Sequence, residues 1–251
     1  DGLDENGKLR PHQIDGLRTG AVYTLKETIA PAGYMIASDT TFELRADGTI
    51  DPDKTSAAVN EDGVMVAVNR QVFLDKIDII SHDELDGACI EIADREGCVI
   101  DSWISEIGEQ HAIENIAAGE EYTLRETTAP VGYMITTDTV FSVDEDGRVS
   151  GTAAVSEEGV ILVEDTQVFL NVVDLTGREE LEGAFIEIVD QDGVVVDGWK
   201  SEKGETHAIE NIAAGEAYIL RETVAPEGYV ITTDRTFTVD RYGKVSGTAT
   251  V

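Results

Sequence analysis

The ten residues HAIENIAAGE run from His111 to Glu120 and return unchanged from His207 to Glu216, 96 residues later. A looser copy, HQIDGLRTGA, starts at His12. The block behind it occurs three times, as YTLKETIAPAGYMI from Tyr23, YTLRETTAPVGYMI from Tyr122 and YILRETVAPEGYVI from Tyr218. Solenoid repeats of roughly 20 to 45 residues must stack to bury a core, whereas a period near one hundred residues is domain-sized and lets each copy bury its own. The 251 residues are therefore expected to fold as a tandem array of small domains.

Superposing the copies places the start of a unit near QVFL, at Gln71 and again at Gln167. This register predicts a first module over 1–70 that is incomplete at its N-terminus, a complete module over 71–166, and a third over 167–251 that stops early. The junctions, VNRQVF and EDTQVF, contain no run of glycine, proline or serine to act as a flexible tether, so neighbouring modules are expected to keep a fixed angle and form a rod.

Within a unit the pattern is one of short alternating runs separated by turn residues, as in CIEIADREGCVIDSW, EEYTLRET and GVILVED. Strands of about five residues at this spacing predict an all-β, immunoglobulin-like sandwich. The Asp-Gly pairs at 47–48, 146–147 and 192–193 read as hairpin turns. They lack the spaced oxygen ligands and closing glutamate of a calcium loop, so no metal is expected.

Fifty-one acidic residues against 18 basic ones leave a net charge of −33. Such a surface repels phosphate backbones and anionic headgroups, which argues against nucleic acid and membrane as partners. No apolar run is long enough to span a bilayer, and DGLDENGKLR does not resemble a signal peptide, so export and anchoring signals are expected elsewhere. The two cysteines, Cys89 and Cys98, flank an expected DREG turn that pairs position 98 with position 93, leaving the sulfurs too far apart to bridge.

Three charged residues fall on faces where apolar ones belong. Strand alternation groups Tyr122, Leu124 and Glu126, with Glu27 and Glu222 in the same place in the other copies. It also groups Val72, Leu74 and Lys76 at the start of the middle unit, and Ile161, Val163 and Asp165 at its end; the first copy ends on Asn69 instead. Burying one such charge costs several kcal/mol unless it is paired or neutralised, so a set of three inward groups needs an explanation.

These residues resemble the CnaB-type modules, SpaA-like and prealbumin-like in fold, of Gram-positive adhesins and pilins. The likeness rests on YTLxETxAPxGY in all three copies, on the lysine of VFLDKID, and on the closing strands MVAVN and ILVED. In that family the lysine and the terminal Asn or Asp join in an intramolecular isopeptide bond. The resemblance implies Lys76 as nucleophile, Asp165 as electrophile and Glu126 as proton shuttle. Glu27 with Asn69, and Glu222 with Val172 in the lysine position, are expected to be incomplete sites. The alternative for the middle unit is a buried ion pair with no covalent bond.

The three repeat-equivalent histidines, His12, His111 and His207, and the paired Trp103 and Trp199 are expected to serve packing. No nucleophile triad, phosphate loop or cofactor motif is present, so the chain is read as no enzyme and as needing no cofactor. The expected role is an extracellular stalk in a cell-wall-anchored surface protein. Its partners are then the neighbouring modules of its own chain, with any host ligand bound by regions outside this segment. A ligand-binding sandwich is the alternative, disfavoured by short loops that are nearly identical between copies.

Overall fold

A computed structural model describes residue 5 and residues 10–176 and 179–249. The outer limits of the expected first and third modules, 1 and 251, lie outside the described residues. As expected, the chain is almost wholly β, in tandem sandwich modules, with a single 3-10 turn at Pro52–Lys54 among the described residues. The first module supplies β1 (Val22–Leu25), β2 (Thr40–Glu43), β3 (Ala58–Val59) and β4 (Met65–Val66), paired as the antiparallel ribbons β1–β2 and β3–β4.

The middle module has nine strands: β5 (Phe73–Asp78), β6 (Cys89–Ala93), β7 (Val99–Ile104), β8 (His111–Ala112), β9 (Glu121–Thr128), β10 (Thr139–Val143), β11 (Val149–Gly151), β12 (Ala154–Val155) and β13 (Ile161–Asp165). They form two sheets, ordered β11-β10-β9-β6-β7 and β12-β13-β5-β8. Alternation works as physics requires: Tyr122, Leu124 and Glu126 are buried along β9, as are Ile161, Val163 and Asp165 along β13. The apolar members of these strands fill one core with Leu74, Ile90, Ile92, Ile113 and Phe141. Phe141 is fully buried, and truncating such a ring to alanine costs about 3–5 kcal/mol.

One pairing in this module is parallel. β13 lies along β5 with Ile161 opposite Leu74, Val163 opposite Lys76 and Asp165 opposite Asp78, so the first and last strands of the module are neighbours.

The hairpin between β6 and β7 differs from the sequence expectation. Val99, not Cys98, lies opposite Ala93, because the register shifts between Ile92 and Ala93. Cys98 stays in the turn, where its amide donates to Asp94 Oδ1 at 2.8 Å. Both cysteines are free thiols.

The third module repeats this plan with β14 (Phe169–Leu170), β15 (Phe185–Val189), β16 (Val195–Lys200), β17 (His207–Ala208), β18 (Ala217–Val224), β19 (Arg235–Val239) and β20 (Val245–Gly247). The order β16-β15-β18-β19-β20 matches the larger sheet of the middle module, and β14 pairs with β17 as β5 does with β8.

The joints between modules are built alike. Met35, from the β1–β2 connection of the first module, is 3% exposed and belongs to the core of the middle module with Val72, Ile113 and Ile116. Met134, from the β9–β10 connection, joins the third module's core with Val168, Ile209 and Ile212 in the same way. Beside them Ile36 N donates to Ile116 O at 2.8 Å, and Ile135 N to Ile212 O at 2.9 Å. Gly33 N donates to Glu114 Oε1 and Gly132 N to Glu210 Oε1, both at 3.0 Å. Gly33 has a φ of +76°, and a Cβ there would lie 3.3 Å from the Ala112 methyl, so conformation and space both favour glycine. HAIENIAAGE, the stretch repeated without change, therefore holds the socket residues of both joints.

Candidate functional site

Lys76, Glu126 and Asp165 meet inside the middle module. β5 carries Lys76 inward behind Val72 and Leu74, and its residue is fully buried. Parallel pairing with β13 brings Asp165 alongside, 1% exposed, while Glu126 points in from β9 of the facing sheet, 4% exposed. Lys76 Nζ lies 2.9 Å from Glu126 Oε1 and touches Asp165 Oδ1. Both contacts are ion-pair contacts between groups closed off from water.

Electrostatics follow from burial. Removing the Asp165 carboxylate from water pushes its pKa up to about 8; the charge of Lys76 opposes the rise and that of Glu126 adds to it. Burial thus favours the neutral acid form of Asp165 beside Lys76. Glu126 is oriented by its second oxygen, Oε2, which accepts the backbone N–H of Thr136 at 2.8 Å and leaves Oε1 turned toward Lys76.

Sequence parity did not reveal the residues around this core. Burial pushes Asp78 upward, but the amides of Ser81 and Ile80 and the Tyr133 hydroxyl outweigh it and hold its pKa below the ordinary value. Tyr133 is pushed up to about 12 by burial and by Asp78. Burial likewise raises Asp75, against the donating amide of Lys76 at 2.8 Å. Tyr133 closes the APxGY run and Thr136 follows it; the recurring tyrosine was a visible signal, but its link to Asp78 was not.

In the first module Glu27 and Asn69 are brought together: Asn69 Nδ2 donates to Glu27 Oε2 at 2.6 Å and to Met35 O at 3.0 Å. In the third module Glu222 is buried and Val172 half-buried, with no amine at the equivalent place. The histidines and tryptophans work as pairs on the sandwich surface. Trp103 stacks on His111, and Trp199 on His207 with ring centres 4.0 Å apart; the histidines reach Asp101 and Asp197 at 2.9 and 2.8 Å. Among the described residues no three His, Cys, Asp or Glu side chains group to hold a metal ion, and no helix is long and apolar enough to cross a membrane.

A buried acid, an amine and a second carboxyl in contact can do one of two things. They can persist as an ion pair, or the amine can condense with the acid and release water.

Comparison with known proteins gives a consistent picture. The domain model for SpaA, a prealbumin-like fold domain, matches residues 70–157 and 166–250. No curated protein matches. Among solved structures, the pilus adhesin SpaC of Lactobacillus rhamnosus GG aligns over 90% of this chain and 40% of its own, at 15% identity and a TM-score of 0.31. The shaft pilin SpaA of the same organism aligns over 68% of this chain and 94% of its own, at 15% identity and 0.28. A streptococcal ancillary pilin aligns over 87% and 71%, at 21% identity and 0.34. The chain thus spans less than half the length of the SpaC adhesin, and these structural likenesses are remote.

Proposed function

The chain belongs to the SpaA family of prealbumin-like fold domains, and from that premise we propose that it is a load-bearing spacer of a bacterial surface protein, outside the cell. The middle module, residues 71–166, is braced by an amide between Lys76 and Asp165. One observation carries this reading: Lys76 Nζ, wholly buried, sits in contact with the Asp165 carboxyl and 2.9 Å from Glu126, with all three side chains closed off from water.

The chemistry needs no cofactor. Glu126 takes the proton of the Lys76 ammonium, and the neutral amine adds to Cγ of protonated Asp165. Glu126 then relays the amine's second proton to the departing hydroxyl, so the N–C bond forms, the C–O bond breaks and water leaves. A pKa of about 8 keeps Asp165 in its acid form for this step. Holding the reactants together replaces a bimolecular encounter, worth up to about 7–11 kcal/mol of the barrier. The middle module reacts once with itself, so this is maturation without turnover. Val172 leaves the third module without a nucleophile at the lysine position, and in the first module Glu27 accepts a hydrogen bond from Asn69.

The surface charge of −33 suits an extended array that must stay soluble and apart from its copies. Its partners are then the adjoining modules, and any host ligand is held by other parts of the parent protein. Intact mass spectrometry tests the bond: the wild-type chain is expected to be lighter than its sequence by one water, and Glu126→Ala to have the full unreacted mass. A wild-type chain of full mass leaves only the ion pair.

A further inference from the structure

The loop between β9 and β10 touches the surroundings of all three buried groups. Thr136 N donates to Glu126 Oε2 at 2.8 Å. Met134 N donates to the carbonyl of Thr166, next to Asp165, at 3.2 Å. The Tyr133 hydroxyl bonds Asp78, two residues beyond Lys76. From its other side the same loop is held by the third module. Gly132 N reaches Glu210 Oε1 at 3.0 Å, Ile135 N reaches Ile212 O at 2.9 Å, Ala214 N reaches Ile135 O at 3.2 Å, and the Met134 side chain, 1% exposed, is seated in the third module's core. Glu210 is itself braced, its amide donating to Asp197 Oδ2 at 3.0 Å.

We propose that the third module is the positioning partner of the buried triad: by clamping residues 132–135 it sets how Glu126 and Asp165 align on Lys76, and so how fast the middle module closes its amide. This rests on the proposed bond. The third module's own loop separates what is local from what the neighbour adds. Thr232 N still reaches Glu222 Oε2 at 2.6 Å there, yet Val230 and Ile231 are 85% and 57% exposed where Met134 is buried. The hydrogen bond to the glutamate is thus made within a module, and the restraint on the loop comes from the next one. A displacement of about 1 Å in a reacting pair can slow it roughly 100-fold, so the effect is on rate.

The test uses the full chain, made by cell-free synthesis and chased, with intact mass following the loss of water over time. Met134→Asp, which expels the side chain from the third module's core, is expected to slow closure roughly 10- to 100-fold. Glu210→Ala, outside both cores, is expected to slow it severalfold, and Glu210→Gln to restore the wild-type rate because its amide oxygen still accepts from Gly132. Hydrogen exchange over β5, β9 and β13 establishes that the middle module is folded; where Met134→Asp disturbs it, the Glu210 pair decides. Closure at the wild-type rate in folded Met134→Asp or in Glu210→Ala overturns the coupling alone. A wild-type chain that never loses water overturns the bond and the coupling with it.

Discussion

The middle and third modules share the order of their five-stranded sheet and an inward glutamate, yet where β5 carries Lys76 the third module has Val172, two residues beyond β14. In the third module Glu222 remains buried and accepts the Thr232 amide at 2.6 Å, with no ion pair to it among the described residues. Glu126 accepts the Thr136 amide in the same way, and Glu27 that of Ala37. The glutamate is therefore first a cap on the loop behind APxGY, common to every module. In the reading proposed above, a lysine and a closing acid turn that cap into a reactive set. The inward glutamate then marks the fold, and the proposed chemistry requires all three groups together.

The largest expected effect comes from removing the acid. Asp165→Ala abolishes closure of a loop of about 90 residues, which by analogy with a disulfide contributes roughly 4–5 kcal/mol. It also leaves the Lys76 amine buried with only Glu126 beside it. Denaturant unfolding is expected to show a collapse in the stability of the middle module while the third keeps its transition. Equal losses in both would erase the distinction between them.

Acidity sharpens the comparison next. Asp165 has its folded pKa raised from 3.8 to about 8, so the fold favours the protonated acid. Before the bond forms, this group's contribution to stability is intact at low pH and declines as pH rises from about 4 to about 8. The same proton is needed on the leaving hydroxyl. The rate of water loss, followed by mass after a pH jump, is expected to fall about tenfold per unit above pH 8. A rate that keeps climbing through that range would mean Asp165 is not the acid that reacts.

The smallest expected effect isolates the structural role. Glu222→Ala leaves the Thr232 amide without its acceptor and is expected to destabilise the third module by about 1–3 kcal/mol, with Glu222→Gln recovering most of it. Both variants are still expected to be lighter than their own sequences by one water, as a thermal melt paired with mass measurement will show.

Much of this was legible before the structure. The 96-residue offset announced domains, and two-residue periodicity picked out Lys76, Glu126 and Asp165, because a strand with one buried face makes parity a reliable guide to direction. Parity was silent on β5's other face, where Asp75 and Ile77 are also buried. There the chain folds back, Leu85 N bonding Lys76 O and Asp78 N bonding Asp83 O, and periodicity cannot register a loop that returns over a strand. The joints were equally hidden. Met35 and Met134 look like ordinary members of a hairpin connection, and their burial depends on a core belonging to the next stretch of chain. Asp-Gly turns fared better, since the left-handed backbone of Gly147, at a φ of +83°, follows from local chemistry alone.

The parallel pairing of β5 and β13 has a mechanical consequence. Because the two strands point the same way, the polypeptide enters the middle module at one end of the pair and departs at the other. A pull on the flanking segments slides the strands lengthwise, so the ladder from Leu74–Ile161 to Asp78–Asp165 yields in shear, its bonds strained together, whereas an antiparallel hairpin tugged at its open end would unzip rung by rung.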